Sequence, residues 1–386
     1  MRRWAGLLAL SAAVGCSSAP PPPSVPGATA RVPYDSPPVA YDAITVILEM
    51  RAAREILAVL SGPKFDPVDA KALEALPAVQ YTLVDAHRQP EVFESDLEAA
   101  FATESRASVF DFRRIRDERN RWADVLATIG TREAELTRLV AERAKALMPA
   151  QPTVAVKVHV YLTFGIAGRA DHLVVPAATG GGRAIVIDLS RALEEDQGSS
   201  REASVAHLTR LMTMQAYQLA WEAYRAESAT WRKHDASLGQ LELLLRAAAE
   251  AGPVYLYTYD ENFFPLSIWL KDQMKASIDE LNRVADRMVS ATEDLDERLS
   301  LVASIRHPEF TAEVAGPAGA FLADAIFQTL GIDAYRAALA GGPRAYFEAY
   351  DRAVDMRGRQ LIPVAQVIRD RLAGVPPSKP PPKPHR

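Results

Sequence analysis

The sequence holds a single cysteine, Cys16, so no disulfide can form within the chain and a packed core must hold the fold. Past the first fifteen residues there is no second long apolar stretch, so no further segment is expected to span a membrane, which takes about 20 apolar residues. Positive charge is not in excess: 44 Lys and Arg stand against 49 Asp and Glu, a formal charge of −5. No basic stripe interleaved with aromatics occurs, which argues against nucleic-acid binding. No G-x-S-x-G elbow is found, and the lone cysteine sits near the N-terminus, so hydrolase chemistry by those nucleophiles is unsupported. What is present is a globular balance, 48% hydrophobic and 24% charged, with enough apolar residues to bury a sizeable core.

The N-terminus has a layered pattern. Arg2 and Arg3 precede an apolar run from Trp4 to Val14, too short to cross a bilayer but suited to a signal-peptide core. It ends in Ala13-Val14-Gly15-Cys16, which resembles the lipobox of bacterial lipoproteins, with Ala13 where that family usually has Leu. The resemblance implies that residues 1–15 are removed and that Cys16 carries a lipid. Loss of Arg2 and Arg3 removes two positive charges and takes the formal charge to −7. An ordinary secretory signal with an incidental cysteine is the alternative. Residues 16–38 are rich in Pro, Ser, Gly and Ala and read as an extended tether. Ser17, rather than Asp, after the cysteine implies delivery to the outer membrane of a two-membraned bacterium. The Pro- and Lys-rich stretch 375–386 reads as a solvated tail.

Between these ends the pattern predicts an α+β fold, predominantly α-helical, with a small central β-sheet. A helical front is expected over 39–150. Helix-like spacing covers Ala40 to Leu60, Asp66-Pro67 reads as a cap and first helical residue, and the pattern continues over Phe93–Phe101 and Val109–Met148 with a break at Gly130-Thr131. The charges from Arg113 to Arg121 read as a solvated helix face. From residue 151 to 374 a second part begins with strands: Thr153–Phe164 alternates, and His172–Val175 and Ala184–Leu189 are shorter candidates. Gly180–Gly182 reads as a loop between them, since a strand rather than a helix follows. Ser199–Glu202 has capping-box spacing and starts a helix expected to run to about Trp221. A long amphipathic helix is expected from Ile268 to Leu299.

The Ser199 helix carries Ala206-His207-Leu208-Thr209-Arg210-Leu211. A strand followed by a helix with histidine in its early turns is the setting of an H-E-x-x-H zinc site. There, histidines four apart share a metal and the glutamate activates its water. Leu208 stands at the glutamate position and Leu211 at the second histidine. Across residues 40–355 the order of elements resembles a bacterial family of zinc-dependent peptidases related to the thermolysin-like group. The likeness rests on Ala184–Leu189 before the helix, Glu250-Ala251-Gly252 near an expected Glu-Gly pair, and Gly316–Gly319, Gly331, Gly342-Pro343 and Tyr346–Tyr350 in the C-terminal part. It implies a zincin-like domain in which His207 and Glu250 are vestigial ligands.

Two ligands fall short of the three protein ligands of a catalytic zinc site, and loss of the base removes about 10²–10⁴-fold in rate. No bound metal or other cofactor is therefore expected. Taken alone, His207 reads as a core or rim histidine, and Glu250 as a helix-end surface carboxylate. Tyr255, Tyr257 and Tyr259 read either as packing of a loop entering the next helix or as aromatics of a groove for peptide or glycan. The expectation is a cell-envelope lipoprotein whose peptidase-like domain has lost catalysis and binds or scaffolds. An active metallohydrolase with rebuilt ligands around His207 is the second reading, and a purely structural envelope protein the third.

Overall fold

A computed structural model of the chain describes residues 44–374, apart from the segments 86–87, 103–107, 150–154, 168–170, 177–182, 195–199, 237–239, 260–263 and 291–293. The expected signal, Cys16, the tether, Ser199, Gly180–Gly182 and the tail lie outside the described residues. The described residues are mostly helical with one mixed four-stranded sheet, the α+β class expected. Contacts divide the chain into two units. The sheet unit takes 42–146 and 153–224; the helical unit takes 147–152 and the residues from 225 on, so the division does not follow a boundary at 151.

The sheet unit opens with β1 (Ile44–Glu49), not with the continuous helix expected over Ala40–Leu60. Its β-branched run ITVILE pairs in parallel with residues 156–161, and that distant pairing overrides a spacing also compatible with a helix. Then come α1 (Arg51–Leu60), α2 (Pro67–Glu74), α3 (Pro77–Asp85), α4 (Pro90–Ala99), α5 (Phe112–Asp117), α6 (Arg119–Thr131) and α7 (Glu133–Ala146). Asp66 caps α2 as expected, its Oδ1 accepting from the Val68 amide at 2.9 Å. The break near residue 130 is found, and a second one at Glu118 separates α5 from α6.

Strands β2 (Val156–Thr163), β3 (His172–Pro176) and β4 (Arg183–Asp188) complete the sheet in the order β1-β2-β4-β3. The first three neighbours run parallel, and β3 lies antiparallel to β4 at one edge. The register sets Leu48, Val160 and Ile185 side by side on one face, with Leu162 and Ile187 following, all buried. The other face carries Ala184 and Val186, fully buried, then His159 and Tyr161 on β2, where Tyr81 of α3 meets Tyr161 edge-on at 5.7 Å. After β4 come α8 (Leu189–Ala192) and α9 (Arg201–Glu227), a helix longer than the sequence predicts. Ser200 caps α9, its Oγ accepting from the Ala203 amide at 3.2 Å. At the far end Glu222 pairs with Arg183 of β4 at 2.7 Å.

The arginines between residues 113 and 121 do more than face solvent. Arg116 donates to the Ala100 and Gly62 carbonyls, Arg114 to Ser190 O, and Arg121 to Leu193 O. These carbonyls belong to the C-terminal ends of α1, α4 and α8, where helical C=O groups lack intrahelical partners and guanidinium groups satisfy them.

The helical unit contains α10 (Ala229–Ala236), α11 (Gln240–Tyr259), α12 (Ile268–Ser290) and α13 (Leu295–Ile305). The long helix expected from Ile268 ends at Ser290, and in the acidic stretch 293–297, which the sequence reads as a turn and helix start, Asp294 starts α13, accepting from the Glu297 amide at 3.1 Å. Next are α14 (Pro308–Phe310), a π-helical turn over Thr311–Ala315, α15 (Gly316–Leu330), α16 (Ile332–Ala340), α17 (Gly342–Arg357) and α18 (Gln366–Leu372). The stretch Pro308–Leu330 is long and apolar enough to cross a bilayer by length and composition alone. Every residue from Gly316 to Ile326 is nevertheless buried against the unit's other helices, as befits a core helix. Helices α11 and α15 touch backbone to backbone: a methyl group built on Gly319 would lie 2.0 Å from the Ala248 carbonyl oxygen, and one on Gly252 would lie 2.4 Å from the Gly319 carbonyl carbon.

Candidate functional site

Helix α9 is buried around most of its circumference. Ser204, Val205, Leu208, Thr209, Leu211, Met212, Gln215, Ala216 and Leu219 are inside, while His207, Arg210, Met214, Gln218 and Glu222 form a half-buried stripe at spacings of three and four. His207 is thus a rim histidine. Leu208 has no exposed surface, and Leu211, one turn beyond His207, is 7% exposed. Two hydroxyls inside the helix fold back on its own carbonyls, Thr209 to Val205 O and Thr213 to Thr209 O, both at 2.7 Å. An apolar side chain at position 208 can neither ligate a cation nor take a proton from water.

Glu250 belongs to the helical unit and His207 to the sheet unit. The sequence places Glu250 at a helix end; the structure places it inside α11, which runs on through Gly252-Pro253 to Tyr259. The proline removes one helical hydrogen bond, and beside it Gly252 packs closely on Gly319. The Glu250 carboxylate is only partly exposed, and one of its oxygens, Oε1, accepts from Arg246 Nε at 2.5 Å and lies 2.9 Å from Arg225 Nη1. Two guanidinium groups on one carboxylate oxygen form a charge-assisted ion cluster, and a metal would have to displace both.

Of the α11 tyrosines, Tyr257 is a core residue. Tyr257 is 1% exposed, burial holds its hydroxyl well above the usual range, and its oxygen is hydrogen-bonded to the Leu147 backbone. The Tyr255 ring lies against Gly316, close enough that a methyl group there would come within 2.9 Å of Cδ2. Tyr259 is the last residue of α11, not part of a loop, and its side chain lies outside the described residues.

Other ligand candidates are engaged elsewhere. Asp188, fully buried at the end of β4, receives Gly165 N at 2.9 Å and Ile166 N at 2.7 Å on one oxygen. The other oxygen receives Ser190 N at 2.9 Å and Ser190 Oγ at 2.7 Å. It ties the turn after β2 to the turn after β4. Burial raises its pKa, and the Ser190 and Ile166 bonds oppose that rise. His172 on β3 hydrogen-bonds Asp171 at 2.7 Å, His159 stacks on Tyr161, and His307 caps α14. Among the described residues, no three His, Cys, Asp or Glu side chains converge as a metal site would require. A polar depression of about 310 Å³ lies where Arg116 clamps the ends of α1 and α4, and it is lined by none of the candidate residues.

The sequence did not point to Arg225 as a partner of Glu250. Arg246 was within reach as an i,i+4 neighbour on the same helix, whereas Arg225 comes from another helix and carries no local signal. No protein-family model, no curated protein and no solved structure matches the chain.

Proposed function

We propose that the chain is a lipid-anchored bacterial envelope protein whose peptidase-like body has lost zinc catalysis and serves as a binding or scaffolding module.

 

What carries the reading is the burial of Leu208 and Leu211 beside His207, at the two positions where the family resemblance would put the base and the second ligand. Further support comes from Glu250, whose carboxylate is committed to Arg225 and Arg246. From α1 on the order of elements also fits, helices, strands β2 to β4, then the helix bearing His207, while β1 at the front departs from it. A chain that keeps such a scaffold while filling the working positions with leucine retains a surface, not a reaction. The antiparallel edge strand β3 is the natural place for an extended peptide ligand, because an edge strand offers backbone donors and acceptors in register.

The test is incubation of the chain with a defined peptide mixture, with and without added zinc, read by mass spectrometry. Peptides retained by the immobilised chain and recovered intact are the expected result; cleavage products that vanish in a His207→Ala variant would overturn the proposal. The anchor has its own test. A Cys16→Ala variant is expected to leave the membrane fraction, and unchanged fractionation would refute the lipid at Cys16.

A further inference from the structure

Helix α12 buries Leu270, Met274, Ile278, Leu281, Val284 and Met288 along one side. Its first two residues do not join that stripe: Ile268 is 81% exposed and Trp269 54% exposed. The residues on either side of them are tied to α15. The Leu266 amide donates to Asp324 Oδ1 at 2.8 Å, and Lys271 Nζ pairs with Asp324 Oδ2 at 2.7 Å, the carboxylate being buried in α15. Phe264 stacks on Phe327 with ring centroids 4.5 Å apart, and Ser267 Oγ accepts from the Leu270 amide. One turn up the helix, Asp272 and Lys275 pair at 2.6 Å, which sets an ion pair just behind the apolar tip.

From this geometry we infer that Ile268 and Trp269 dip into the surface of the lipid bilayer that holds the chain's own N-terminus. The two side chains expose on the order of 300 Å², well short of the ~800 Å² per partner of a stable protein interface. An indole beside an aliphatic side chain, backed by charges, suits the boundary between headgroups and acyl chains. Net negative at −5 with residues 1–15 and at −7 without them, the chain gains nothing from anionic lipid, so the contact is apolar and insensitive to salt. Such a tip is weak by itself and becomes effective as the second of two attachments. The stretch from Cys16 to Ile44 supplies the first: a chain of that length reaches on the order of 30 Å even when coiled, which keeps the tip at high local concentration near the bilayer. The inference rests on the envelope reading for this tether alone, and on nothing at His207.

The experiment uses the full chain with Trp4→Phe, mixed with excess phosphatidylethanolamine and phosphatidylglycerol vesicles whose acyl chains are brominated. Trp122, Trp221 and Trp231 are at most 3% exposed, so Trp269 is the tryptophan that bromine can reach. Vesicles are expected to quench part of the emission, the share of one tryptophan in four. Adding Trp269→Phe should abolish the quenching, and Ile268→Asp should reduce it several-fold while the melting temperature holds. Quenching that is absent, or that persists in the Trp269→Phe chain, overturns the inference. The anchor is judged separately: a Cys16→Ala chain released from cell membranes but still quenched by excess vesicles would remove the lipid and keep the tip.

Discussion

Replacing Gly319 by alanine probes the contact on which the helical unit is built. In an exposed helix the change would stabilise by about 1 kcal/mol, because glycine has the poorer helix propensity. Here the new methyl carbon would stand 2.0 Å from Ala248 O and 2.8 Å from Gly252 Cα, both backbone atoms that no rotamer change can move. Ordinary contact begins near 3.4 Å, so α11 and α15 must separate by more than 1 Å at their crossing. A gap of 0.5–1 Å forfeits roughly a quarter to a half of each facing dispersion contact, and overpacking of this kind costs about 1–3 kcal/mol. Because α15 is buried along Gly316–Ile326, the upper end applies. Offset by helix propensity, the net loss is about 2 kcal/mol, or roughly 4–8 °C in melting temperature for a unit of this size. Urea and thermal unfolding followed by circular dichroism measure it. The Gly252→Ala change acts on the same crossing, so the double variant should lose less than the sum of the two. A Gly319→Ala protein as stable as the parent, or more so, would refute the close helix contact.

Asp188→Ala leaves the Gly165, Ile166 and Ser190 amides without their acceptor in the core and should cost about 3 kcal/mol or more, seen as a lower urea midpoint. Two buried tyrosines should respond in opposite ways. Tyr346 donates to Gly319 O at 2.9 Å, so Tyr346→Phe should cost about 1 kcal/mol, whereas the Tyr335 hydroxyl has no partner among the described residues and Tyr335→Phe should be neutral or stabilising by up to about 1 kcal/mol. Burial raises the pKa of Tyr257, Tyr335, Tyr346 and Tyr350. Their neutral forms therefore stabilise the fold fully below the unfolded value near 10, and that stability is lost as pH climbs past it, by up to about 1.4 kcal/mol per pH unit for each group. Alkaline unfolding should accordingly coincide with a cooperative step in tyrosinate absorbance worth these four of the 12 tyrosines, and a titration that completes all 12 before unfolding would contradict the burial.

Much of the fold was legible because its signals are local. The alternating valines of 154–160 marked β2, and Asp66-Pro67 marked the start of α2. The errors lie where a distant partner decides. Ile44–Glu49 has a spacing compatible with helix and becomes a strand because residues 156–161 supply its ladder. Gly252-Pro253 reads as a helix end and lies within α11, where Gly252 packs on the distant Gly319. The charged run at 113–121 is solvated in part, but its guanidinium groups are aimed by carbonyls far away in sequence, at Gly62, Ala100 and Leu193. At the candidate site the sequence located the filled positions, Leu208 and Leu211, on a helix that proves to be buried around most of its circumference. It missed the Arg225 partner of Glu250, because ion pairing across helices has no sequence period.

The central claim is that the site around His207 does not hold a catalytic metal. Zinc content of the purified chain, measured beside a His207→Ala variant after both are equilibrated with zinc and desalted, tests it most directly. The account predicts well under one zinc per chain in both proteins, with no difference between them. Near-stoichiometric zinc that disappears in the variant would contradict it and would mean that His207 is a ligand in a site rebuilt from other residues.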